Sequence, residues 1–214
     1  MLYDEEPSQY LFRHKGEIEW RHPDGGGDTI QIGAFTICFV DTDAALNDGV
    51  AAYDVFDTEA TTFDVFQSLY NFKTGSLLTR VERIAFGNFY VPRGGLLLLE
   101  RLVVYPDHRG HGVGLLVLRT LLRHYRSFAG VAVMKPFPLQ FEGDDDSGTG
   151  LPEEIGLPKE LWNLKQFSES EVRATTKLRR YYSKLGFDLV PRTKYMVRSC
   201  DLQLPEISEL GFPN

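Results

Sequence analysis

A chain of 214 residues with 43% hydrophobic residues and 15 Phe has enough apolar surface for one buried core, which excludes a wholly disordered chain. Its net charge of -7 would repel a phosphate backbone over most of the surface, so nucleic acid is not an expected partner. The two cysteines, Cys38 and Cys200, lie too far apart for a zinc-ligand spacing or a disulfide framework, and no apolar run approaches the ~18 residues of a membrane span. No metal and no membrane are therefore expected, and a reducing cytoplasm is the expected compartment. The opening residues MLYDEEPSQY lack the basic start and apolar centre of a secretory signal.

In chain order, residues 1–10 read as a loose polar arm. GEIEWRH and TIQIGAFTICFV, on either side of a turn-rich PDGGGD segment, read as a β-hairpin. Residues 41–57 and 58–71 carry Ala, Leu and Phe at helical spacing, with Phe63, Phe66 and Tyr70 on one face of the second, and predict two short helices. A variable stretch follows through GNFYVPRGG. Residues 96–105, with four consecutive leucines, predict a central strand buried on both faces.

A helix is predicted over 112–125, with Leu115, Leu118, Leu122 and Tyr125 inward and Arg119, Arg123, His124 and Arg126 toward the end where positive charge suits the dipole. GVAVM, residues 130–134, is a second buried strand, which completes a right-handed parallel unit. Residues 142–167 read as a polar, Gly-rich surface insertion. Ser168 and Glu171 make a capping box for a helix that carries Leu178 and Tyr182 and stops at Gly186. Residues 187–190 and 194–198 read as a closing pair of strands, and no internal repeat is visible.

The junction of central strand and helix, VVYPDHRGHGVG at 103–114, has three glycines at alternate positions led by an arginine. Such a loop lets main-chain amides approach a ligand, and a helix N-terminus behind them favours an anion such as a pyrophosphate. It matches neither GxxxxGK[ST] nor GxGxxG.

Val104, Pro106, Arg109, Gly110, Gly112 and Gly114, after an apolar strand, resemble the [RQ]xxGx[GA] signature of the GNAT family of acetyl-CoA-dependent N-acetyltransferases. YYSKLGF at 181–187 is similar to the family's later helix-to-strand motif, in which a tyrosine precedes Gly-Phe. The resemblance covers about residues 84–198. It implies an α+β fold of three layers, a central mixed and splayed sheet flanked by helices. The whole chain 1–214 is then one domain: the arm, a hairpin-and-helix region at 11–83, an acetyl-CoA-binding core at 84–198 containing the insertion, and a C-terminal tail at 199–214. The hairpin ahead of the helices departs from the family's usual single opening strand, and Thr175 stands where an asparagine is common.

The function implied is direct transfer of the acetyl group of acetyl-CoA, bound as cosubstrate, to a primary amine. The resemblance gives the pantetheine arm to main-chain groups of Leu102, Val103 and Val104, and the pyrophosphate to Arg109, Gly110, His111, Gly112, Val113 and Gly114. It implies Tyr182 as general acid toward the leaving thiolate, with Tyr181 facing elsewhere on the helix. Glu100, by strand period on the face of Leu102 and Val104, is the candidate base, with an ion pair within the sheet as the other reading. The expected acceptor is a small amine or a peptide, and a homodimer is left open. Two other functions fit the same residues: a non-catalytic acyl-CoA sensor or scaffold, and acetylation of protein termini or side chains.

Overall fold

The computed structural model describes residues 6–22, 27–87, 94–141 and 169–210. The predicted insertion at 142–167, the Ser168 half of the capping box and most of the PDGGGD turn lie outside these. Two antiparallel strands come first, β1 (Leu11–Trp20) and β2 (Ile30–Val40), as the hairpin reading expects. Ahead of them Pro7–Tyr10 form a 3-10 turn and not a loose arm, because Tyr10 is buried and donates its hydroxyl proton to Asp48 at 2.9 Å.

Four helices follow where two were predicted: α1 (Thr42–Asn47), α2 (Ala52–Phe56), α3 (Ala60–Leu69) and α4 (Thr79–Phe86). The first predicted helix is broken in two by a turn around Gly49, whose φ is +80°. The fourth falls in a stretch that the sequence reading treats as variable chain. Its N-cap is Leu78, which offers no side-chain oxygen to the first amides, so the usual start signal is missing.

The parallel unit is as expected: β3 (Leu96–Val104), α5 (Val113–Tyr125) and β4 (Val131–Met134). Helix α6 (Glu171–Ser183) starts after Ser170, and Gly186 at φ +81° lets the chain reverse into β5 (Asp188–Leu189) and β6 (Met196–Ser199). The six strands form one mixed sheet in the order β1-β2-β3-β4-β6-β5, antiparallel except for β3 with β4.

Alternation along the strands sends side chains to two cores. Leu96, Leu98, Val131, Val133 and Val197 meet Phe56, Val65, Phe66, Leu69 and Val81 of α2–α4 on one face. Leu97, Leu99, Ala132 and Met196 meet Leu115, Leu118, Leu121 and Leu122 of α5, with Leu185 and Phe187, on the other. This is the three-layer α+β architecture read from the sequence.

The segment after β6 is tied down rather than trailing. Arg198, almost wholly buried, donates to the carbonyls of Ser199 (2.9 Å), Leu202 (2.6 Å) and Leu185, which joins the end of α6 to the chain beyond the sheet. Burial with no carboxylate among these partners lowers its pKa to about 10. Arg119 of α5 donates to Pro205 O at 2.9 Å, and Leu210 is buried in the α5 core.

Candidate active site

Strand β3 is longer than its parallel neighbour. Its pairing with β4 runs only from Leu96↔Val131 to Leu99↔Met134, whereas its pairing with β2 continues to Gly33↔Val104. Beyond Leu99 the two central strands part. Tyr105 N–H donates to Ile32 O at 2.8 Å, and the alternation of an antiparallel ladder then directs the main-chain groups of Val103 to β2 and those of Leu102 and Val104 away from it. Of the three residues expected to offer main chain to a ligand, Leu102 and Val104 thus turn theirs away from β2, while Val103 turns its own toward it.

A cleft of about 580 Å³ opens here. Leu102 to Val104 form one wall, residues 108–115 the floor, Phe137 to Leu139 a second wall, and Tyr181, Tyr182, Lys177 and Lys184 of α6 the third. All nine residues assigned to the cosubstrate from sequence line it: Leu102, Val103, Val104, Arg109, Gly110, His111, Gly112, Val113 and Gly114.

The floor has the form that the glycine spacing requires. Gly110 and Gly112 have φ of +83° and +74°, a region costly for a residue with a Cβ. Among the described residues nothing accepts from the amides of Gly110, His111, Gly112, Val113 and Gly114. Five consecutive amides, at and just ahead of the start of a 13-residue helix, therefore lack a protein partner in residues that line the cleft, at the positive end of the helix dipole.

Arg109 differs from expectation. Its Nε donates to Val104 O at 2.6 Å, so the guanidinium braces the loop against β3 and takes up a carbonyl that had been assigned to the ligand. Burial lowers its pKa.

Tyr182 lines the cleft and also a cavity of about 40 Å³ beside it, which it shares with Glu100, Arg101, Lys135 and Phe137. Burial, and secondarily the neighbouring Tyr181, push its pKa up, so the phenol stays protonated at neutral pH. Tyr181 does not face elsewhere. It lines the same cleft, its ring lies 5.5 Å from that of Tyr182, and its hydroxyl oxygen accepts the Leu115 N–H at 3.0 Å.

The placement of Glu100 corrects the strand-period argument. Thr36 pairs with Arg101 and Ile37 with Leu99, which leaves Glu100 as the extra residue of a β-bulge. The extra residue reverses the alternation: Leu102 joins Leu97 and Leu99 on the α5 side, while the Glu100 carboxylate reaches Arg13 of β1, opposite the cleft. Arg13 holds both its oxygens, at 2.9 and 2.7 Å, and donates to Glu59 ahead of α3 at 2.8 and 2.5 Å. The ion pair within the sheet is thus present, with Arg13 of β1 as the partner. A pair of charges in the middle of the apolar run Leu96–Val104 was the available sign of a bulge.

The family model described as the acetyltransferase (GNAT) family matches residues 50–135. That span runs from α2 through β4 and includes the whole cleft floor, but not Tyr181 and Tyr182. No curated protein and no solved structure matches the chain. Among the described residues no helix is long and apolar enough to cross a membrane.

Proposed function

We propose, from the GNAT acetyltransferase domain that residues 50–135 carry, that the chain transfers an acetyl group from acetyl-CoA to a primary amine. The observation that carries this reading is the run of five unpartnered amides from Gly110 to Gly114 on the floor of a cleft large enough for an extended thioester. A diphosphate supplies the acceptors those donors lack. The main chain of Leu102, and the amide of Val104, then pair with the pantetheine arm as a strand pairs with its neighbour.

The amine nitrogen attacks the thioester carbonyl carbon, a carbon–nitrogen bond forms, the carbon–sulfur bond breaks, and the sulfur leaves with the electron pair. Tyr182 enters each cycle protonated because burial holds its pKa high. A phenol so raised is a weak acid, and its contribution is a hydrogen bond to the departing sulfur, followed by its proton.

The attacking ammonium must first lose a proton, since its ordinary pKa is near ~10.4. Glu100 lines the small cavity with Tyr182, but its carboxylate lies toward the other face of the sheet, where Arg13 engages both its oxygens. The proton therefore reaches this carboxylate through water and not by direct contact.

Isothermal titration with acetyl-CoA tests the cosubstrate, and release of free CoA across a panel of small amines and amino-terminal peptides tests the transfer. Heat with acetyl-CoA and turnover with at least one amine is the expected result. No heat on folded protein defeats the reading, and binding with silence across the panel replaces the enzyme by a sensor.

A further inference from the structure

Tyr181 opens the motif from which Tyr182 was assigned but was given no role in it, yet its hydroxyl is bonded to the floor of the cleft. Its hydroxyl oxygen takes the Leu115 N–H at 3.0 Å. The same amide also donates to Gly112 O at 2.9 Å, so the helix start is satisfied without the tyrosine. The oxygen also lies 3.0 Å from the point where a Cβ on Gly114 would stand. The signature admits alanine at this last position, but here the tyrosine hydroxyl takes the room that a methyl group would need.

A phenol has one proton to give as well as lone pairs to receive with. The Leu115 amide uses a lone pair. Among the described residues nothing accepts the Tyr181 proton. The half-buried ring lines the cleft beside the amides of residues 110–114, so an acceptor for that proton must come from whatever the cleft holds.

We infer that Tyr181 is a ligand of the cosubstrate's diphosphate, its hydroxyl acting as a further donor seated against Gly114 and oriented by the Leu115 amide. This rests on the acetyl-CoA reading above. It assigns the two adjacent tyrosines to different tasks: Tyr181 holds the phosphate end of the thioester and Tyr182 serves its sulfur. Because both sit on one turn of α6, a bound diphosphate also fixes the helix that carries the acid.

The test compares acetyl-CoA with S-acetylpantetheine, which has the same thioester and no diphosphate. Tyr181→Phe removes one oxygen and leaves Leu115 N–H bonded to Gly112 O, so the fold is retained, as an unchanged melting curve would confirm. A hydrogen bond to a charged group contributes enough that acetyl-CoA should bind about tenfold or more weakly to Tyr181→Phe, while S-acetylpantetheine should change by less than about twofold. In turnover the loss should fall on KM for acetyl-CoA rather than on kcat. Gly114→Ala should displace the hydroxyl and give a loss of the same kind, and the double variant should be no worse than Gly114→Ala alone. Wild-type affinity for acetyl-CoA in Tyr181→Phe, or equal weakening of both thioesters, overturns the inference and leaves Tyr181 as wall packing. A wild-type protein that gives no heat with acetyl-CoA removes this inference together with the reading beneath it, whereas binding by wild type with no effect of Tyr181→Phe removes this inference alone.

Discussion

The two faces of the central sheet are built by different means. On the α5–α6 face the groups proposed to act on a ligand are mostly main-chain amides, held in place by glycine conformations and by the parting of two strands. On the α1–α4 face the charged cluster is made of side chains, Arg13, Glu59 and Glu100, drawn from separate elements 46 and 87 residues apart. A main-chain site has to write its glycines into one short stretch of sequence. A site made of distant side chains leaves no local mark. The contrast explains why one face could be described before the structure and the other could not.

The largest effect that tests this division is on stability. Phe66 is fully buried and packs its ring 5.4 Å from Phe56, 5.1 Å from Tyr70 and 5.2 Å from Phe72. Phe66→Ala should cost about 3–5 kcal/mol in urea unfolding. If the faces are independent, acetyl-CoA will stabilise this variant by the same increment as wild type; a smaller increment would show that the helical face shapes the cleft.

Next in size is Tyr182→Phe, expected to lower kcat about 100-fold or more with little change in the affinity for acetyl-CoA. The pH profile sharpens the assignment. A group that must be protonated fails as the pH rises through its pKa, and this phenol is held above its ordinary value of 10.0, so activity should show no alkaline fall below about pH 10.

Glu100→Gln should lower kcat by about tenfold, a smaller loss because raising the pH supplies free amine without a base. Arg13→Met breaks the same ion pair from the other side. Equal losses in the two variants would make Glu100 part of the scaffold, while a loss confined to Glu100→Gln would make it a proton acceptor.

The smallest expected effect lies at the far edge of the same face. Asp64 on α3 accepts from Lys194 at 2.6 Å and from the Tyr195 hydroxyl. Partial burial works against its charge, but these two partners outweigh it and hold the carboxyl below the usual range. Such a group stabilises the fold above its unfolded pKa, and the contribution is lost as the pH falls through the lower folded value. Asp64→Asn should therefore be less stable than wild type at pH 7, by no more than about 1 kcal/mol for so exposed a pair. The two melting curves should converge only at pH values below the usual carboxylate range.

How far the sequence could be read follows the same line. The leucine run, the glycine loop, the helix behind it and the stop at Gly186 each obey a local rule, and each stands where that rule places it. Helix α4 was missed because Leu78 cannot cap it. The face of Glu100 was misassigned because a period of two cannot anticipate an extra residue, although the charges of Glu100 and Arg101 inside a buried strand were a hint. Tyr181 was set aside because neighbours on a helix point about 100° apart, which leaves out how broad a cleft α6 walls. A cleft that wide takes both tyrosines.

Leu210 belongs to the α5 core and also to the cleft wall, and Arg119 and Arg198 fasten the stretch leading to it. A substitution such as Leu210→Ala would therefore reach the α5 core and the cleft at once, from a residue far down the chain from the glycine loop.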